Sequence, residues 1–121
     1  MKLGLNLSFA VKRWMEPEIL AKMCREDFGV KNIQFSWDFI DPWWPQHQRD
    51  QLARQFGEAF RKEGVSIDNS FGGNAAYVFP HFLAPSKSQR DLALEYFERA
   101  ADMTLALGAV VIGSPAGGMS Y

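Results

Sequence analysis

Small hydrogen-bonding side chains recur where the chain leaves its apolar segments: Ser8 in "KLGLNLSF", Asp38 in "NIQFSWDF", Ser70 in "VSIDNSF" and Ser114 in "AVVIGS". Three hydroxyls and one carboxylate at such points can hold a small polar molecule by hydrogen bonds, although small polar side chains also serve simply to fill a narrow wet interior. Asp38 could orient a ligand hydroxyl or pair with a nearby Arg or Lys; Asp68 lies one layer deeper. The stretch "GGNAAYVFPHFLAP" reads as a long loop carrying Tyr77 and His81, the kind of segment that forms a lid or pocket wall. His81 has no second histidine and no carboxylate at ligand spacing, so it reads as a hydrogen-bonded structural residue rather than a metal ligand. His47 stands at a polar helix start and reads as solvated. "GSPAGG" could present backbone N–H groups to an anion. It lacks the Gly-Lys-Ser/Thr ending of a P-loop and is not GxGxxG, and Pro115 removes one donor, so nucleotide binding is disfavoured. Trp43 and Trp44 in "DPWWPQ" fit a pocket mouth or subunit contact as well as a loop anchored into the body of the domain.

The elements that must position these residues alternate between two periods. "KLGLNLSF" (2–9) sets Leu3, Leu5, Leu7 and Phe9 opposite Gly4, Asn6 and Ser8, which predicts a strand. A helix opens at Pro17, carries Ile19, Leu20, Met23, Cys24 and Phe28 at helical spacing, and stops at Gly29. "NIQFSWDF" (32–39) is a second strand, and residues 46–63 form a helix with Leu52, Phe56, Ala59 and Phe60 inside and Gly64 at its end. "VSIDNSF" (65–71) is the third strand, with Ser66, Asp68 and Ser70 on its polar face. Ser86 with Gln89, or Ser88 with Asp91, resembles a capping box for a helix that buries Leu92, Tyr96, Ala100, Met103 and Leu107 and ends at Gly108. "AVVIGS" (109–114) is the fourth strand. The order βαβαβαβ points to a parallel sheet with right-handed crossovers.

Three of the four strands have one apolar face and one small, polar face, whereas parallel strands covered on both sides read as continuous apolar runs. A doubly wound sheet would bury Asn6, Gln34 and Asp68 under a helix, each needing a partner or costing on the order of a few kcal/mol. A barrel, polar inside and apolar against its outer helices, is the better fit, although a two-layer sheet with a solvated face shows the same alternation. A closed eight-stranded barrel needs roughly 250 residues. The fold class expected is therefore α/β, the first half of a parallel TIM barrel, over residues 1–121. Its first and fourth strands would be open edges that invite pairing with another chain.

Composition narrows the function classes. Thirteen basic and fourteen acidic residues leave a net charge of −1, with no basic excess to hold a nucleic acid. Cys24 is the only cysteine, which rules out an intrachain disulfide and a CxxC metal site and fits a reducing compartment. No 18-residue apolar run or secretory leader is evident. A soluble, cytoplasmic protein is expected.

"KLGLNLSF", "GVKNIQFSWD", "EGVSIDNSFGG" and "ALGAVVIGSPAGGMS" together resemble the opening four strands of the xylose-isomerase-like TIM barrels, the superfamily of sugar and sugar-phosphate isomerases and epimerases that also includes endonuclease IV. The "LG" before the fourth strand and the "GSPAGG" after it are the most specific of these motifs. The resemblance covers the whole chain but only the N-terminal half of a family member. It implies a divalent ion (manganese, magnesium, cobalt or zinc) held by residues of strands five to eight, and proton transfer through an ene-diolate by paired carboxylates. Those strands are not in this sequence, so the chain alone is expected to hold no metal, to supply no catalytic group and to be inactive. The substrate implied is a ketose or sugar phosphate. Ser8, Trp14, Asp38, Ser70, Tyr77, His81 and Ser114 are the candidate contacts, Trp14 resembling an aromatic that relatives pack over the sugar ring. Ser70 and Ser114 stand where the endonuclease branch carries metal-binding histidines, which argues against DNA repair. The alternative is a self-associating, non-catalytic half-barrel binding module. A homo-oligomer, with no nucleic-acid or membrane partner, is expected.

Overall fold

The computed structural model describes residues 1–118. Four parallel strands lie in chain order: β1 (Leu5–Asn6), β2 (Asn32–Ser36), β3 (Ser66–Phe71) and β4 (Ile112–Gly113). Helices α1 (Pro17–Glu26), α2 (Gln46–Lys62) and α4 (Lys87–Leu107) are the crossovers. They cover one face of the sheet, where Leu7, Ile33, Phe35, Phe56, Phe60 and Met103 are almost fully buried. Phe35, Phe39 and Phe56 form an aromatic cluster with ring centroids 5.1–5.5 Å apart. On the opposite face Asn6 and Asp68 are exposed and Gln34 half-buried. Helices on one side, a polar concave surface on the other and sequential strand order give the architecture of the first half of a TIM barrel.

The strands are shorter than the alternation predicts, for a shared physical reason. The Asn6 side chain accepts the N–H of Ser8 at 2.8 Å, and the Ser36 hydroxyl accepts that of Asp38 at 3.3 Å. Each bond gives the backbone a local alternative to the sheet ladder. The chain winds into 3-10 turns at Leu7–Ala10 and Trp37–Phe39, where strand residues were expected. The expected strand over 109–114 reduces to Ile112–Gly113.

Pro17 occupies the first turn of α1, which ends at Glu26, and Gly108 closes α4 with φ +88°. Two helix expectations need correction. Ile19 and Phe28 are exposed, and on α4 it is Ala93, not Leu92, that is buried with Tyr96 and Ala100. The capping box is not formed: the Ser86 hydroxyl pairs with that of Ser88 at 2.7 Å instead of an amide of the first turn. The presumed loop after β3 contains a short helix, α3 (Asn74–Val78), and a 3-10 turn at His81–Leu83.

Cys24 lies inside α1 with no exposed surface, and burial pushes its thiol up to about 11 from an ordinary value of 9.0. The folded pKa exceeds the unfolded one, so this contribution to stability is complete below pH 9.0 and is lost as pH rises to about 11. The expected loss is about 2–3 kcal/mol. Urea unfolding should show the start of that decline between pH 9 and 10, below the ordinary range of Tyr96, and Cys24→Ala should flatten that part.

Candidate functional site at the carboxyl ends of the strands

A bulge in β3 decides which side chains face the concave surface. Ile33 pairs with Ile67, but the next residue, Gln34, pairs with Asn69, leaving Asp68 as the extra residue. Asn6, Gln34 and Asn69 therefore stand level on three adjacent strands. The Asn6 amide donates to Gln34, and the Gln34 amide donates to Asn69 at 2.7 Å. This amide ladder lines a shallow depression of about 290 Å³ with Asp68, whose carboxylate accepts from Asn32 and Ser66. The fixed donors and acceptors of the ladder can bind hydroxyl groups on the concave face.

The same extra residue turns Ser70 away from that face, which corrects its expected inward placement. Ser70 is fully buried on the helix side. Its hydroxyl accepts the indole N–H of Trp37 at 2.8 Å and lies 2.6 Å from the Thr104 hydroxyl, which donates to the Ala100 carbonyl of α4. This closed relay locks β3 onto α4. Ser70→Ala would leave the Trp37 N–H without an acceptor and is expected to cost about 1–3 kcal/mol in urea unfolding.

The other candidates divide into separate groups. Ser8 is exposed in the turn after β1, and Trp14 is half-buried against Phe9, with ring centroids 6.3 Å apart. Ser114 donates to its neighbour's carbonyl, and its hydroxyl lies where a Cβ on Gly72 would fall. Asp38 caps α3, accepting the Asn74 N–H at 2.9 Å, and its carboxylate fills the space a Cβ on Gly73 would need. Tyr77 is exposed on α3. His81 bonds the Ala75 carbonyl at 3.0 Å through Nε2 and stacks on Tyr96 at 5.3 Å, the structural role its isolation suggested. Asp38 and His81 meet at one cavity with Trp43 and Trp44, while Ser8, Trp14 and Ser114 lie elsewhere.

The glycines of "GSPAGG" serve packing. Gly118 donates its N–H to the Phe79 carbonyl, and side chains on Gly117 or Gly118 would collide with the Pro80 and Tyr77 carbonyls. Those contacts use the Gly118 donor and fill the space beside it. Met119 and Ser120 of the wider motif lie outside the described residues.

Among the described residues no three His, Cys, Asp or Glu side chains cluster closely enough to hold a metal ion. The donors present do not fit the divalent ion implied by the resemblance. No helix of the described residues is long and apolar enough to cross a membrane.

No family model matches the chain. Over 97% of its length it superimposes on a protein of Rhodospirillum rubrum provisionally assigned as a xylose isomerase, with a TM-score of 0.94 and 47% identity, covering 40% of that chain. A D-erythrulose 1-phosphate 3-epimerase of Brucella abortus is 26% identical over 114 residues, which is 94% of this chain and 36% of that protein. A D-psicose 3-epimerase crystallised with D-fructose shares the fold at a TM-score of 0.61 and 14% identity, over 93% of this chain and 37% of its own. Fold and relatives together define the class: the chain has the architecture of the N-terminal half of a xylose-isomerase-like TIM barrel. It spans 40% or less of the length of each of these relatives.

Proposed function

We propose that these residues form the N-terminal part of a metal-dependent sugar or sugar-phosphate isomerase or epimerase. The observation that carries the reading is the amide ladder Asn6–Gln34–Asn69 on the concave face of a half-barrel that is 47% identical to a provisionally assigned xylose isomerase. The ladder binds and orients a ketose or its phosphate by its hydroxyls. The ion and the carboxylates that transfer a proton through an ene-diolate come from residues other than these. A further observation supports missing neighbours: Val110 and Val111 around β4 are 85% and 53% exposed, although an apolar run of this kind belongs to a strand covered on both faces. The lone Cys24 agrees with a cytoplasmic location.

The test is to join these residues to the remainder of the Rhodospirillum rubrum protein. The joined chain should interconvert a ketose or ketose phosphate with Mn²⁺, Mg²⁺, Co²⁺ or Zn²⁺ present, and the 121-residue chain should show no turnover. Turnover by the short chain, or none by a folded joined chain with any of these ions, would overturn the reading. The open edges at β1 and β4 favour one second reading, a self-associating half-barrel. A stable dimer of the 121-residue chain that buries Val110 and Val111 would support it.

A further inference from the structure

A cavity of about 370 Å³ lies between the segment after β2 and the segment around α3, with Tyr96 of α4 in its wall. Its size is within the range of small-molecule sites. Trp43, Trp44, Phe79, His81 and Tyr96 supply aromatic walls, and Asp38 and Asp41 bring carboxylates to it. We propose that this cavity binds a small organic ammonium ion, held by the aromatic faces and the two carboxylates.

Charge is the first argument. Neither Asp38 nor Asp41 is in an ion pair among the described residues. Asp38 accepts hydrogen bonds from Asn74 and Ser36, and Asp41 accepts one from the Trp43 amide, so each carboxylate has room for another donor. Arg99, which lies 5.1 Å from the Trp43 ring centre, donates to Glu95 at 2.8 Å and does not neutralise them. His81 forms a wall, its Nε2 bonded to the Ala75 carbonyl and its ring stacked on Tyr96. An anion would meet two carboxylates here, and a neutral polyol would leave both charges uncompensated. A cation neutralises them and gains from the Trp44 ring, which, unlike Trp43, has no guanidinium over it among the described residues.

A second observation is independent of the carboxylates. Tyr96 is only 4% exposed, yet its hydroxyl has no hydrogen-bond partner among the described residues. Fully enclosed polar side-chain atoms all have partners, so this hydroxyl borders the open space of the cavity. Burial, with Asp41 and Asp38 nearby, pushes the phenol well above its ordinary range and keeps it protonated. A buried phenol facing an aromatic cavity is a ready contact for a ligand. The backbone of His81 sits at φ +45°, a conformation that costs a non-glycine residue on the order of 1 kcal/mol. Stacking on Tyr96 and the bond to Ala75 hold it in place.

The experiment titrates the intact chain with choline, D-fructose and inorganic phosphate, following tryptophan fluorescence and the indole N–H resonances. Choline should saturate in the millimolar range, shift the Trp43 and Trp44 signals and leave phosphate without effect. Asp41→Asn, chosen because Asp41 is exposed and caps no helix, should weaken choline at least about tenfold. Trp44→Leu should do the same through the ring face, and thermal melting verifies that both variants are folded. Absence of saturation by choline, or choline binding unchanged in both folded variants, would overturn the proposal. D-fructose binding more tightly than choline would overturn it in favour of a neutral sugar site, and saturation by phosphate would overturn it in favour of an anion site.

Discussion

Replacing Arg49 with methionine is expected to cost about 3–5 kcal/mol of stability and to release the loop that carries Trp43 and Trp44. Arg49 is 1% exposed, an unusual position for a guanidinium. Its Nε donates to Asp50 at 2.8 Å, and Nη1 reaches the carbonyl of Pro42 at 3.4 Å. One buried side chain near the start of α2 thus ties the helix to the loop that precedes it. Methionine keeps part of the hydrophobic stem but leaves the Asp50 carboxylate, only 15% exposed, without its partner. Removing both charges should be milder than removing one, so Arg49→Met/Asp50→Leu should recover part of the loss. Urea unfolding measures the energies, and tryptophan emission reports the loop. A single variant as stable as the parent would show that the pair does not hold this loop.

Trp37→Ala is expected to cost a similar ~3–5 kcal/mol, the usual cost of truncating a buried tryptophan. Trp37 is 2% exposed, packs edge-on against Tyr96 and Phe97 with centroids 5.7 and 5.5 Å away, and supplies the N–H that Ser70 accepts. Its loss opens a void beneath α4 and frees one side of the relay. The two substitutions share this bond, so adding Ser70→Ala to Trp37→Ala should cost much less than Ser70→Ala alone. Additive losses in that cycle would mean that the relay contributes nothing beyond its separate parts.

The helices were legible from the sequence because their signals are local. Pro17 at a first turn, Gly108 in a left-handed cap and apolar residues at a 3.6-residue period need no distant partner to act. Strand ends were less legible. Asn6 and Ser36 terminate β1 and β2 with hydrogen bonds that compete with the ladder, a signal written in residue type but masked by the apolar alternation that runs through Leu7 and Trp37. For the candidate site, Asp38 and His81 were found as strand-end and loop residues, but their common cavity with Tyr96 was not, since Tyr96 read simply as a buried position of a helix.

By itself the sequence determined the order of elements, the parallel sheet, the separation of a polar face from a helix-covered one, and the likeness to the first half of a xylose-isomerase-like barrel. Only the tertiary structure decided which side chains share a face. A strand alternates with a period of two, so the single extra residue at Asp68 exchanges inside for outside along the rest of β3, carrying Asn69 into the amide ladder and Ser70 under α4. That exchange depends on how β3 pairs with β2, and pairing between strands some thirty-five residues apart is set by packing across the whole sheet.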